Sequence, residues 1–153
     1  MTIFLCKNSL EGIMTGVYDA WASRLGHENV RLQAGCDQNL ELFCEYVEVE
    51  SDLEKAEKVL RTVWSRLGAE AYDMIAYAAA AVHDGKADAV YRMIVAGLHL
   101  PDGKKISGML THPDVRLVFE LRRKVWHIAH RYLGFLRFIS LPLTLSALKC
   151  VLL

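Results

Sequence analysis

Residues 111–138 read THPDVRLVFELRRKVWHIAHRYLGFLRF, and this stretch decides the fold because it predicts one long amphipathic helix. Pro113 suits the first turn of a helix, where its missing N–H is not needed. Asp114 follows it, at the end of the helix where the dipole favours a negative charge. The helix should run from Asp114 to about residue 133, with Gly134 as its C-cap.

A projection of this helix at about 100° per residue separates an apolar arc from a basic face. The apolar arc contains Val115, Val118, Val125, Trp126, Ala129, Tyr132 and Leu133. The opposite face contains Arg116, Glu120, Arg123, Lys124, His127, His130 and Arg131. Arg122 points into the apolar arc, where an unpaired guanidinium is costly. We therefore expect Arg122 to hold an acidic side chain, such as one from the N-terminal half.

The charge of the chain is balanced overall but unevenly distributed. Residues 1–90 hold 15 acidic and 8 basic residues, whereas residues 104–137 hold 8 basic and 2 acidic ones. A basic region in a neutral protein predicts an anion or nucleic-acid surface, with a solvated helix face as the alternative. The candidate nucleic-acid contacts are Lys104, Lys105, Arg116, Arg123, Lys124, His127, His130, Arg131 and Arg137.

The histidines of this segment allow several kinds of chemistry. His112 and His130 are the candidate catalytic residues, because imidazole exchanges protons near neutral pH. His127 and His130 are three residues apart and could share a metal ion, but only His112 or Glu120 offers a third ligand. The alternatives are a polar helix face and phosphate contacts beside Arg131. Since nucleotide-binding, hydrolase and metalloprotease motifs are also absent from the sequence, we predict no metal and no cofactor.

The remaining sequence predicts a mainly helical α+β domain, with a short N-terminal strand pair and about five helices. The predicted elements are a strand at 2–6, a helix at 10–23, a long loop at 25–41, a strand at 43–49, helices at 53–67, 69–82 and 86–99, and a basic loop at 104–110. The strand at 43–49 could pair with the first strand. Ser51 and Glu54 form a capping-box pattern before the second helix. Gly12 and Gly16, four residues apart, could admit a closely packed neighbour.

Length and cysteine content favour a single domain with reduced thiols in the cytoplasm. The chain has 153 residues, of which 53% are apolar, and its four cysteines form no CxxC pair. We expect Cys6 and Cys44 to lie in the core. The N-terminus lacks the features of a secretory signal. Residues 139–153, ISLPLTLSALKCVLL, are too short for a membrane span of about 20 residues, so no membrane contact is predicted.

Several short motifs resemble a bacterial family of a domain of unknown function that is assigned to DNA metabolism. They are Thr111–Val115, Lys124-Val125, Ala129–Arg131 and Gly134–Phe138, with Ser9–Gly12, Val17–Trp21 and Val47–Leu60 nearer the N-terminus. The resemblance implies a DNA repair or modification context and a radical S-adenosylmethionine (SAM) protein as partner. In some chains of that family the domain is joined to a uracil-DNA glycosylase-like domain. No catalytic residue is implied.

The chain departs from this family in two places. Ile128 stands where the family has an acid, just before Ala-His-Arg. The sequence after Phe138 resembles none of the family's further strand-like sequence, so residues 1–138 are predicted to be one incomplete domain and 139–153 an unrelated apolar tail produced by truncation or a frameshift.

Three functions follow as hypotheses. The first is a DNA-associated accessory protein that acts with the radical SAM partner and contacts DNA through the basic helix face. The second is an enzyme acting on damaged bases or nucleotides with a histidine acid–base. The third is a protein–protein adaptor that makes no nucleic-acid contact.

Overall fold

A computed structural model describes residues 1–35 and 41–137. In these ranges a small parallel sheet in the N-terminal part is combined with five α-helices, which confirms the mainly helical α+β prediction. The strands are β1 (Thr2–Cys6), β2 (Val30–Ala34) and β3 (Glu45–Glu48), in the order β2-β1-β3. The α-helices are α1 (Leu10–Ala22), α2 (Leu53–Arg66), α3 (Gly68–Ala80), α4 (Lys86–His99) and α5 (Pro113–Arg137), with 3₁₀ helices at His27–Asn29 and Gly103–Gly108.

Strand β2 corrects the prediction of a long loop at 25–41 and of a strand pair. Val30 and Leu32 are buried, whereas Arg31 and Gln33 are partly exposed, which is the alternation of a half-buried strand. Its backbone pairs in parallel with the whole of β1. The prediction that the strand at 43–49 pairs with the first strand is confirmed, although that strand is shorter than expected.

Helix α1 packs against β1, and the close approach that the two glycines were predicted to allow occurs with the strand at Gly16 and with the following turn at Gly12. A Cβ atom added at Gly16 would lie 2.1 Å from Cys6 Sγ, and one added at Gly12 would lie 2.5 Å from the carbonyl oxygen of Lys7. The hydroxyl of Ser9 accepts a hydrogen bond from the Gly12 N–H at 3.0 Å and caps the helix. These contacts let the helix and the central strand share one tightly packed core.

The cysteine predictions were partly right. Cys6 is buried in the core, as expected. Cys44 is only half-buried, so its predicted place in the core is wrong, because it precedes the partly exposed edge strand β3. Cys36, Cys150 and the predicted tail at 139–153 lie outside the described residues.

The cap of α2 is the residue after the predicted one. Asp52, not Ser51, caps α2, with its carboxylate accepting from the N–H groups of Glu54 (2.9 Å) and Lys55 (3.2 Å).

A buried lysine lies at the C-terminal end of α3. Lys86 is 3% exposed, and its Nζ donates to the carbonyl oxygens of Ala79 and Ala81, each at 2.6 Å. Burial lowers the Lys86 pKa, and the ammonium closes the C-terminal end of α3.

Helix α4 joins the sheet to the other helices. The Arg92 guanidinium donates to the carbonyl oxygens of His27 (2.5 Å) and Val30 (2.7 Å), where β2 begins. The hydroxyl of the buried Tyr91 forms a 2.7 Å hydrogen bond with His27 Nδ1. On its other side, α4 packs with α3 against α5. The basic helix is therefore an outer element supported by two others.

Candidate nucleic-acid interface

Helix α5 begins where the sequence predicted but ends later. Pro113 is its first residue, and the Arg116 N–H donates to the carbonyl oxygen of His112 at 3.0 Å. The helix passes through Gly134 and reaches Arg137, so the prediction of Gly134 as its C-cap is wrong. Glycine in a helix costs about 1 kcal/mol relative to alanine, but it does not end the helix when its neighbours remain helical.

The buried face of α5 is confined to its first half. Its buried side chains are Val115, Val118, Leu121 and Val125. Trp126 and Tyr132 were predicted in the apolar arc, but they are 41% and 69% exposed, so this part of the prediction is wrong. Ala129 and Leu133 are half-buried. No side chain at 126–133 is buried.

Helix length explains this change along α5. The helix has 25 residues, whereas α3 has 13 and α4 has 14. At 1.5 Å per residue, α5 spans about 37 Å and its two supports about 20 Å each. Within the described part of the chain, the second half of α5 therefore extends past the helices that bury the first half. Most side chains at 126–133 are therefore exposed, whether they are polar or apolar.

A basic stripe runs along the outer face of α5. It consists of Arg116, Arg123, Lys124, His127, His130 and Arg131, all of which are exposed, as predicted. At 100° and 1.5 Å per residue, the stripe occupies an arc of about 120° and a length of about 22 Å. Glu120, also exposed, lies in the same arc. The predicted separation of charged and buried faces is thus confirmed for the first half of the helix.

The arginines and lysine of the stripe form no ion pair with the residues at 1–35 and 41–137. Carboxylates within 4 Å accompany many cations elsewhere: Arg31, Lys55, Lys58, Arg61, Arg92, Lys105 and Arg122. Glu120 is the one acidic residue described on this face and pairs with none of its cations, so the basic stripe keeps an excess of positive charge. Such a surface attracts anions.

Of the other three predicted contacts, Lys104 and Lys105 lie away from this stripe. Lys104 lies beside Gly68, where α2 meets α3, since a Cβ added at Gly68 would lie 3.5 Å from Lys104 Cγ. Lys105 lies 3.9 Å from Asp102 and is paired with it. The backbone of Arg137 ends the described helix, and its side chain lies outside the described part.

Arg122 fulfils the prediction that it holds an acid from the N-terminal half. Its Nη2 and Nε lie 2.8 and 3.0 Å from the same oxygen, Oδ2 of Asp73 in α3. The pair fixes α5 to α3 at the edge of the buried face. Arg122 is therefore part of the helix packing rather than of the basic stripe.

Trp126 is the site residue that the sequence misplaced. Its ring centroid lies 3.8 Å from that of His130 and 5.4 Å from that of His127. An open depression of about 330 Å³ lies beside it, lined by Phe119, Arg122, Arg123, Trp126 and His127. In projection Trp126 lies about 80° from Val118, at the edge of the apolar arc and next to Arg123. That edge position was the available signal that an aromatic side chain borders the charges.

The two candidate catalytic histidines, His112 and His130, lie far apart. His112 precedes His130 by 18 positions, which corresponds to about 27 Å along a helix, so they cannot serve one reacting group or one metal ion. No three His, Cys, Asp or Glu side chains in the described ranges lie close enough to hold a metal.

His112 and Asp114 form a second polar site at the start of α5. His112 Nδ1 lies 3.6 Å from Asp114 Oδ2. Burial raises the pKa of Asp114, and the nearby His112 opposes that shift. Asp114 also lines an open cavity of about 430 Å³ that Asp88 and Arg31 border.

Comparison with protein families gives one match. Residues 84–148 match the model of a family described as a domain of unknown function, DUF4130. The match includes α4, all of α5 and ten residues beyond Phe138, and it leaves the sheet, α1, α2 and α3 outside. No curated protein and no solved structure matches the chain. Among the described helices, each is too short or too polar to cross a bilayer.

Proposed function

We propose that this chain is a cytoplasmic, DNA-associated accessory protein in DNA repair or modification, and that the basic stripe of α5 contacts phosphates. One observation carries the proposal: exposed cations share one helix face, outnumber its one described carboxylate, Glu120, and form no ion pair with the described residues. The resemblance of residues 111–138 supplies the DNA-metabolism context and the radical SAM protein as partner. It also supplies the link to a uracil-DNA glycosylase-like domain in related chains.

The uneven charge gives DNA a preferred side of the molecule. Residues 1–90, which contain the sheet and the first three helices, carry seven more acidic than basic residues. The negative electrostatic potential of residues 1–90 repels a polyanion such as DNA, whereas the basic stripe attracts one. A duplex would therefore approach α5 and avoid the sheet. Contacts of this kind position a nucleic acid without reading its sequence.

The proposal is tested by measuring duplex affinity against salt concentration. If the three arginines and Lys124 neutralise one phosphate each, log K should fall with log salt at a slope of about −3.6. Arg123→Ala and Arg131→Ala should each weaken binding and reduce the slope by about 0.9. Arg61→Ala is the matched control, because Arg61 is exposed on α2 and paired with Glu57.

A flat salt response would reject the phosphate contacts, as would stripe variants that behave like Arg61→Ala. Co-purification of an acidic protein partner, without affinity for nucleic acid, would favour the adaptor hypothesis instead.

The enzyme hypothesis is favoured at one place, the contact between His112 and Asp114 beside an open cavity. At 3.6 Å the two groups are beyond hydrogen-bond distance in this structure, but a histidine beside a carboxylate can transfer protons once the two approach. The test is a screen of damaged duplexes with the wild type, His112→Ala and His130→Ala. Turnover lost only in His112→Ala would support this candidate, and turnover unaffected by either change would reject both histidines.

A further inference from the structure

We infer that the depression beside Trp126 accepts an unpaired nucleobase, so that the preferred ligand of the basic stripe is single-stranded nucleic acid. This inference rests on the proposed function, because the stripe must first hold the phosphates. It adds the substrate class, which the charges alone leave open.

The first observation is the exposure of a large aromatic ring within a group of cations. Trp126 is 41% exposed, although tryptophan is usually among the more buried residues. His130 contacts its ring at a centroid distance of 3.8 Å, and His127 meets it edge-on at 5.4 Å. These neighbours restrict how the indole can turn. A ring held in this way can stack against another flat group with little further loss of conformational freedom.

The second observation is the composition of the walls. Phe119 and Trp126 provide aromatic surface, and Arg122 and Arg123 provide guanidinium groups. Arg122 is held by Asp73, whereas Arg123 is exposed and has no described ion pair. Aromatic rings and guanidinium planes both stack on nucleobases, and a free arginine can bind the adjoining phosphate. The depression therefore offers aromatic stacking surface and positive charge within one site.

Charge also selects against other occupants. An apolar peptide seated beside Trp126 would cover Arg123 and His127 without supplying a counter-charge, and burying an uncompensated cation is costly. A base paired within a duplex keeps its faces stacked on its neighbours and cannot present one to the indole. A nucleotide of a single strand supplies both a free face and a negative charge.

The test compares three probes of roughly 12 nucleotides, a length within the range of known single-strand sites. They are a thymidine homopolymer, the same sequence as a duplex, and an abasic backbone of equal length. Affinities are measured by fluorescence anisotropy for the wild type, Trp126→Ala and Trp126→Phe. Tyr132→Ala is the matched control, because Tyr132 is an exposed aromatic residue of α5 about 160° around the helix from Arg116.

We expect the thymidine strand to bind more tightly than the duplex or the abasic backbone. Trp126→Ala should weaken binding of the thymidine strand roughly 5- to 100-fold and leave the other two probes unchanged. Trp126→Phe should retain most of the affinity, and Tyr132→Ala all of it. Thermal melting of each variant checks that the fold is intact.

Two results would overturn the inference. If the thymidine strand and the abasic backbone bind equally and Trp126→Ala has no effect, stacking is wrong while the phosphate contacts stand. If no probe shows salt-dependent binding, the proposed function fails and the inference fails with it.

Discussion

Two nitrogens of Arg122, on α5, contact one carboxylate oxygen of Asp73, on α3, at 2.8 and 3.0 Å. The two side chains are 30% and 43% exposed, so water reaches the pair. The contact lies one residue away from Arg123, which faces outward. Neighbouring arginines on the same helix thus have different tasks, one in packing and the other on the open face.

Loss of this ion pair should lower the free energy of unfolding modestly. Arg122→Ala and Asp73→Ala should each cost about 1 kcal/mol, and a double-mutant cycle should give a coupling of about 0.5–1 kcal/mol. Arg123→Ala is the control, with an expected change within about 0.5 kcal/mol. The measurement is urea denaturation followed by circular dichroism. A coupling near zero would mean that the pair adds nothing to the attachment of α5.

Gly16→Ala should destabilise the protein because the new methyl group overlaps the Cys6 sulfur. Overpacking of this kind costs about 1–3 kcal/mol. Gly108→Ala is the control, since an added Cβ there meets no atom within 4 Å. Cys6→Ala combined with Gly16→Ala should be more stable than the sum of the two single changes predicts. Strict additivity would show that the overlap is relieved by movement of α1.

Lys86→Met should lower the free energy of unfolding by about 2–3 kcal/mol. The apolar replacement leaves the carbonyl oxygens of Ala79 and Ala81 without their buried donor, and an unsatisfied buried acceptor is costly. Lys124→Met is the matched control because Lys124 is exposed and lacks a described ion pair. Chemical denaturation would measure both. Equal stabilities of the two variants would show that water replaces the ammonium at the end of α3.

The Cys6 thiol should make stability fall at alkaline pH. Burial raises its pKa from 9.0 to about 12, so the folded chain keeps a proton that the unfolded chain loses in this interval. Stability from this source is therefore intact below pH 9.0 and declines as pH rises toward 12. At about pH 10.5 the loss should be about 2 kcal/mol relative to neutral pH.

The Cys6→Ala variant isolates this effect from other alkaline titrations. The stability difference between wild type and variant, measured by denaturation at several pH values, should shrink above pH 9.0. A difference that stays constant up to about pH 10.5 would contradict a buried, protonated thiol.

Local signals in the sequence were sufficient for most helices. The predicted span of α4 agrees with the observed Lys86–His99. Its apolar residues recur at helical spacing, and Gly85 before them and Pro101 after them mark the two ends of the helix. Strand β2 was missed because its five residues, VRLQA, include two polar ones and lie within a polar, glycine-containing stretch. Its pairing with β1 and its hydrogen bond to Arg92 join residues far apart in the chain. Such contacts are not encoded in the local pattern.

In the candidate site too, local features were predicted and tertiary contacts were not. The projection correctly set Arg122 apart from the basic face, because its angle around the helix placed a charged residue among apolar ones. It could not identify Asp73 as the partner, since the order in which helices pack is a tertiary property. It placed Trp126 in the core because a projection gives an angle around the helix but not the length of the helices beside it.

Helix α5 is longer than α3 and α4, which pack against it, and this difference affects how the sequence of the protein can evolve. None of the side chains at 126–133 is buried, so mutations there should destabilise the fold little. Selection against unstable variants therefore acts only weakly on this segment. The first half of α5 must conserve shape and volume. The second half is free to drift, to acquire another ligand or to lose one, while the rest of the chain keeps its architecture.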